Sequence, residues 1–434
     1  MRPSSVIEIP YKADSIEWAA LFADQPGFAF LDSRKRHKGS GDVDIICALP
    51  ERLYNLVDYS SITSLWIAEI EQDLTDTGQS DGAIVIGYLD FESASTAIGV
   101  PASTLQPATA ALYRWHLCQH HEEERAYVVF DAHVSTETRS LVKQRLAQQS
   151  TSQNKTDFNL DGPFSADTSP EDFLSAVEQI RQYIGAGDCY QVNFAHRFSA
   201  SFKGSLFGAY RKVRDAAPGD FSAFLNLNPG HNILSLSPER FMSVEDGDIT
   251  AQPIKGTAPR AKDLEEDQRI AEALCNSPKD RAENVMIVDL LRNDLGKVCE
   301  TGSVSVPSLC ALQSFDNVHH LVSTVTGKLR AHCTPGQALV DCSPGGSITG
   351  APKRRAVEII KELEQAPRGI YCGSVFAIKA NGWLQSSIAI RTVEAVGNRL
   401  YCWGGGGITF DSIPEAEYQE TLDKVRVFME ALED

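Results

Sequence analysis

Near the C-terminus, Glu417, Glu420 and Lys424 recur at i, i+3 and i+7, which sets them on one stripe of a helix. Tyr418, Leu422, Val425 and Met429 form an apolar stripe beside it. The charged groups therefore border the buried face rather than oppose it. Two carboxylates in such a place suit a hard cation such as Mg²⁺, which takes oxygen ligands. A solvated ladder of ion pairs is the alternative. Asp280 and Glu283 repeat the i, i+3 spacing on an earlier helix, so two helices could share one metal. An acidic helix start is also explained by the helix dipole alone.

Two glycine-rich stretches could bring backbone close to a ligand. Ser343-Pro-Gly-Gly-Ser-Ile-Thr-Gly-Ala-Pro-Lys353 runs into a helix, whose free N–H groups suit a carboxylate or phosphate. It is not a phosphate-binding P-loop, because Ala351 stands where that motif needs lysine. Trp403-Gly-Gly-Gly-Gly-Ile408 is the second; tight packing explains such glycines equally well.

Single residues complete the set. Lys255, in Gln-Pro-Ile-Lys-Gly-Thr257, ends a strand-like run with few charges nearby. A lysine in apolar surroundings loses its proton readily and becomes a nucleophile; a solvated loop lysine is the plain alternative. Glu239 could be a general acid or the ion-pair partner of Arg240. Gln191 alternates with Tyr190 and Val192 and so faces the other side of its strand. Arg391 closes an apolar strand, as a solvent contact or as a carboxylate fork. His116, His120 and His121 have a zinc-like i, i+4 pair but no further ligand, and read as surface residues.

The elements that must position these groups follow from capping and periodicity. Ser169-Pro170 opens a helix bearing Phe173, Val177, Ile180 and Ile184, stopped by Gly185 and Gly187. Ser277-Pro278 opens a second, to Gly296. A third starts near Pro352. The fourth has a capping box at Ser412–Glu415 and runs nearly to the end. Strand-like runs include 27–32, 43–49, 83–88, 125–130, 190–194, 373–378 and 387–391. Without regular β-α alternation the fold class is α+β with antiparallel sheets. The polar stretch 148–163 is read as a linker between an N-terminal region, 1–147, and a chemistry-bearing region, 164–434.

With 434 residues the chain can bury a large core without disulfides or metals. Hydrophobic residues at 42% and charged residues at 23% exclude a disordered or fibrous chain. A net charge of −18 argues against nucleic-acid and anionic-membrane partners. Ten cysteines without C-x-x-C pairs, and no signal peptide, indicate reduced thiols in the cytoplasm. No apolar run is long enough to span a membrane.

Together the segments Gly187–Phe194, Ser237–Phe241, Pro253–Thr257, Glu283–Gly296, His319–Ser323, Pro344–Lys353, Ala389–Thr392 and Glu417–Lys424 resemble the chorismate-utilising enzymes. The resemblance covers essentially the whole chain. It implies the anthranilate synthase large-subunit fold, a large two-subdomain antiparallel β-sandwich core with helices outside. Lys255 and Gln191 point to the branch that makes 4-amino-4-deoxychorismate, toward 4-aminobenzoate and folate. The anthranilate and isochorismate branches carry Ala or another small residue at the first position, and the isochorismate and salicylate branches carry a water-activating lysine at the second. The resemblance implies Mg²⁺ held by Glu283 and Glu420, supported by Glu417 or Asp280, on the ring carboxylate of chorismate. It implies that Lys424 and the Gly405–Gly407 backbone flank that carboxylate, and that Arg391 and Tyr371 clamp the enolpyruvyl carboxylate. Lys255 would attack C2, Glu239 would protonate the departing C4 hydroxyl, and ammonia would then enter at C4. His320 and Thr349 would orient the ring, with Gly256, Thr257 and Gln191 also at the substrate. Leu31, Asp32 and Ser33 resemble part of a tryptophan pocket. No Gly-x-Cys-x-Gly glutaminase turn is present, so a separate glutamine amidotransferase subunit is the expected ammonia source. An anthranilate-forming enzyme and a non-catalytic chorismate- or tryptophan-binding relative are the other readings.

Overall fold

The computed structural model describes residues 4–33, 43–76, 82–101, 106–148, 157–217, 219–315 and 318–433. Eight elements place the chemistry: β1 (Gln191–Gly204), β2 (Arg240–Glu245), β3 (Ile254–Pro259), α1 (Pro278–Val298), β4 (Val318–Lys328), α2 (Lys353–Leu363), β5 (Arg399–Ile408) and α3 (Pro414–Glu433).

Two large antiparallel sheets carry them. In the first, β5 pairs with β1 over ten residues, from Val192 against Ile408 to Ser201 against Arg399. That sheet continues through Thr392–Val396, His231–Ser237, Phe221–Asn228, Phe28–Asp32 and Val43–Cys47 to Trp115–His120, Arg125–Phe130 and Ser5–Ile9. The second sheet begins β3–β4, passes through Asp248–Ala251, β2, Leu384–Ile388 and Ser374–Lys379, and ends with Ile84–Leu89, Thr109–Tyr113 and Arg52–Asn55. Between the sheets lie Ala29, Ile45, Ile86, Tyr88, Ile233 and Val375, so the two stack as a sandwich. Helices cover the outer faces, where α1 and α2 join one hydrophobic cluster and α3 another. The architecture is α+β, as the mixed pattern of elements requires.

Strands from before and after 148–163 share both sheets, so the N-terminal and C-terminal regions have no separate sheets of their own. Within 148–163, Phe158–Leu160 is a strand on β1 rather than linker, while 149–156 lie outside the described residues.

The helix starts follow their caps. Ser169 accepts from the amide of Asp172, and Ser277 from that of Asp280. Helix α1 continues past Gly296 because Ile287, Val288, Leu291, Leu295 and Val298 are buried at helical spacing. Each such side chain contributes roughly 1.5–3 kcal/mol, enough to offset one interior glycine. The box expected at Ser412–Glu415 does not form. Ser412 Oγ instead donates to Glu417 Oε1 at 2.6 Å and accepts from the Thr409 amide at 3.0 Å. The histidines read as surface residues are not all exposed. His116 and His121 are buried, His121 against Asp44 at 2.8 Å, and His120 is half-buried, stacked on Tyr127. His116 lies within the strand Trp115–His120 and His120 ends it; that strand is paired on both sides and buried on both faces, and His121 follows it directly.

Candidate active site

A cavity of about 700 Å³ lies where β3, the start of α1, β5 and the start of α3 converge. It is lined by Glu239, Lys255, Gly256, Thr257, Asp280, Glu283, His320, Tyr371, Arg391, Gly405, Gly407, Glu417, Glu420 and Lys424. The segments Ser237–Phe241 and Lys255–Thr257, distant in sequence from α3, thus meet it across one space.

The glycine run lets β5 pass beneath the acidic stripe of α3. A Cβ on Gly406 would stand 3.1 Å from Glu417 Oε2 and 3.8 Å from Lys424 Nζ. One on Gly405 would stand 2.6 Å from the Ala195 methyl and 2.8 Å from the Tyr371 hydroxyl. Any side chain at 405 would collide with the floor of the site. Tyr371 stacks on Trp403 with centroids 5.7 Å apart and planes 7° from parallel.

Lys255 does not occupy an apolar slot. It is half-buried, and its charge acts on Glu239, Glu283 and Glu420. The neighbouring sequence has few charges, but tertiary packing brings three carboxylates to it. Glu239 is 6% exposed, and burial pushes its pKa up to about 7 against the opposing effects of Ser347 and Lys255. Its Oε1 accepts from Ser347 Oγ at 2.9 Å. It makes no ion pair with Arg240 among the described residues; that guanidinium lies 5.3 Å from the Phe221 ring centroid. Glu239 therefore stays protonated to a much higher pH than an ordinary carboxyl, up to about neutrality.

His320 Nδ1 meets Thr257 Oγ1 at 2.8 Å. Burial, with Arg391 adding to it, lowers the imidazole to about 4, so it is neutral at pH 7. Arg391 sits past its strand end with φ +52° and donates from Nη1 to the Lys424 carbonyl, which ties the two cationic residues together.

Burial raises Glu283, and the charges of Asp280 and Glu420 add to the rise while Lys255 and Lys279 oppose it. Burial also raises Glu417, where Ser412 opposes and Glu420 adds. Burial pushes Glu420 upward too, but Lys424 outweighs it and holds that carboxyl below its ordinary value. These carboxylates feel one another across the cavity, a repulsion that a divalent cation would relieve. Among the described residues no three His, Cys, Asp or Glu side chains are gathered closely enough to hold a metal unaided. The set still fits Mg²⁺, which is commonly bound by one or two carboxylates with water and substrate oxygens completing its shell.

Several expectations are corrected. Thr349 does not line the cavity; its hydroxyl is spent on the Gly345 carbonyl at 2.9 Å, and Ser347 and Ile348 face inward instead. Gln191, 1% exposed, lies behind Gly407 rather than in the lining. Its amide nitrogen and oxygen have no hydrogen-bond partner among the described residues. Leu31, Asp32 and Ser33 do not make one pocket wall. Leu31 packs against the inter-sheet core, Asp32 turns the other way onto Arg214 and Tyr210, and Ser33 donates to Asp44 at 2.6 Å. Sequence reasoning also missed Ser347, Lys279, Asn193 and Trp403, all of which line the cavity. Ser347 and Trp403 lay inside quoted glycine motifs, and Lys279 lay directly before Asp280; their neighbours drew the attention.

Residues 34–430 match the model of the family described as chorismate binding enzyme. The chain belongs to the chorismate binding enzyme family. An aminodeoxychorismate synthase component 1 from Klebsiella aerogenes is 38% identical over the full length of both chains. Another protein of that name, from Escherichia coli, is 43% identical over 76% of this chain and 71% of its own. The crystal structure of anthranilate synthase component I from Streptococcus pneumoniae superposes with a TM-score of 0.73 at 27% identity, over 99% of this chain and 92% of its own. For a chorismate binding enzyme, the cavity reconciles an acidic protein with a dianionic substrate. Arg391, Lys424, Lys255 and Lys279 stand among its carboxylates, so cationic groups face the substrate space although the net charge is −18.

Proposed function

We propose that this chain is the chorismate-converting component of an aminodeoxychorismate synthase, making 4-amino-4-deoxychorismate from chorismate and ammonia. The observation that carries the reading is the pairing of a lysine with a buried, proton-holding carboxyl across one cavity: Lys255 and Glu239.

The reaction divides between the two. The Lys255 amine forms a bond to C2, the ring double bonds shift, and the C4–O bond breaks. Glu239 gives its proton to that oxygen, so water leaves rather than hydroxide. Ammonia then bonds to C4, the double bonds shift back, and the C2–N bond to Lys255 breaks. Arg391 and Tyr371 hold the enolpyruvyl carboxylate, and Lys424 with the Gly405–Gly407 backbone flanks the ring carboxylate. Glu283 and Glu420, supported by Glu417 or Asp280, would hold Mg²⁺, which when bound supplies positive charge at that carboxylate. His320, neutral and fixed by Thr257, orients the ring.

Ammonia comes from a glutamine amidotransferase subunit as partner, consistent with the word component in the relatives' names. All ten cysteines are free, and no helix among the described residues is long and apolar enough to cross a membrane. Both facts support a cytoplasmic setting on the way to 4-aminobenzoate and folate.

Product identification tests the reading. Chain, Mg²⁺, chorismate and ammonium should give 4-amino-4-deoxychorismate with its enolpyruvyl group retained; anthranilate as product would refute it. Lys255→Ala should abolish that product, and mass spectrometry should find the chorismate adduct on Lys255. An adduct on another residue would remove Lys255 from its role.

A further inference from the structure

The proposed reaction leaves the glycine-rich segment 343–353 without a task. It is not an open anion site. A Cβ on Gly346 would meet Leu290 at 3.1 Å, and one on Gly345 would meet Ile388 at 3.0 Å and Phe241 at 3.4 Å. The glycines press the loop against α1, the adjoining strand and β2. Lys353 locks its far end, donating to Asp294 Oδ2 at 2.6 Å and to the Cys342 carbonyl at 3.2 Å. Held this way, the loop delivers one hydroxyl to the cavity, that of Ser347.

We propose that Ser347 is a positioning residue for the general acid: its hydroxyl fixes one carboxyl oxygen of Glu239 and leaves the other to pass the proton to the departing C4 oxygen. This deepens the assignment of Glu239 and rests on it. The backbone of Glu239 is already fixed, its amide on Ser237 Oγ at 3.1 Å and its carbonyl taking the Ile388 amide at 3.1 Å. Only the side-chain torsions remain free. Ser347 is the single hydrogen-bond partner of that carboxyl among the described residues, at 2.9 Å to Oε1.

An O–H donor prefers a charged acceptor over a neutral one. The bond therefore strengthens as Glu239 loses its proton, while C4–O breaks and water forms. Charge developing on the carboxylate meets a donor already in place, at no reorganisation cost. The other groups facing Glu239 are Lys255 from β3 and Cys372 from the turn before Ser374–Lys379; Asp220, just before the strand Phe221–Asn228, lines the same cavity. None of these carries a hydrogen bond to the carboxyl among the described residues.

The test follows adduct formation on Lys255 in the absence of ammonium, across pH, in the full chain. Activity that needs protonated Glu239 falls on an alkaline limb. Losing a donor to a charged group should move that limb upward by about one pH unit in Ser347→Ala and slow the reaction below it about tenfold. Ser347→Thr keeps the hydroxyl and should keep the limb. A purely structural serine would lower rate or stability without moving the limb, and an unmoved limb in Ser347→Ala overturns the proposal. So does an equal displacement in Ser347→Thr. Difference infrared spectra of the free protein against Glu239→Gln give the carboxyl protonation midpoint without any reaction. The same upward move is expected there, and a fixed midpoint refutes the role. If the wild type forms no adduct, the Lys255 reading fails, and the infrared midpoint still decides Ser347.

Discussion

Lys424 Nζ donates to the carbonyl oxygen of Gly405 at 2.8 Å, which fastens α3 to the glycine strand beneath it. The same nitrogen pairs with Glu420 one turn back. One cation thus sets the height of the helix over the cavity floor and neutralises a carboxylate at its rim. Lys424→Met should raise the chorismate Kd about tenfold or more, since charge-assisted hydrogen bonds are worth roughly 1.5–3 kcal/mol. Substrate binding by calorimetry checks this, and an unchanged Kd would place Lys424 outside the substrate contacts.

Glu420 faces both Lys424 and the charge of Glu283. Glu420→Gln keeps the size of the side chain and removes its charge. It should weaken Mg²⁺ binding, so that activity needs more Mg²⁺, and weaken chorismate capture with it. A Mg²⁺ titration of activity that superposes on the wild type would exclude Glu420 as a ligand.

Glu239 should show a trade of stability for activity. Its folded value of about 7 lies above the ordinary 4.5, so the folded chain retains a proton that the unfolded chain releases. The associated stability is fully present below about 4.5 and is lost as pH rises through about 7. Glu239→Gln carries no such penalty and can still accept from Ser347. It should be more stable than wild type at pH 8, by on the order of 3 kcal/mol, with the gap closing toward pH 4.5. Its turnover should fall by about 10²–10⁴. Denaturant melts at pH 5 and pH 8 read the first effect, and a pH-independent gap would contradict the assigned proton.

Behind the site, Arg368 is buried and ties several groups together. It pairs with Glu364 at 2.6 Å and donates to the carbonyls of Asn193 at 2.6 Å and Ile348 at 3.0 Å. Its guanidinium also lies 5.6 Å from the Tyr371 ring centroid. Asn193, Ile348 and Tyr371 all line the cavity. Arg368→Met strands the Glu364 charge and should cost about 3–5 kcal/mol in urea melts. A loss under about 1 kcal/mol would mean that the pair is dispensable.

Much of the site was written in local order. The stripe of Glu417, Glu420 and Lys424 needs only helical periodicity, and Ser277-Pro278 fixes where Asp280 and Glu283 fall on α1. The glycine run signals close approach because no other residue tolerates it. The errors came where a side chain's direction depends on a distant neighbour. Thr349 and Ser347 are two apart in one motif, yet one bonds its own loop and the other reaches Glu239. Asp32 could not be separated from Leu31 until Arg214, 182 positions on, was seen to hold it.

Periodicity, caps and glycine placement depend on neighbours within a few residues, so the chain alone determined its α+β class, its main helices, its acidic stripes and its likeness to chorismate-utilising enzymes. Which groups meet is a matter of long-range strand pairing and helix packing. The tertiary structure alone decided that Lys255 stands among carboxylates, that Glu239 is buried deeply enough to keep its proton, and that the N-terminal and C-terminal strands share their sheets. Burial and Coulomb interaction act through space, and neither can be summed along a sequence.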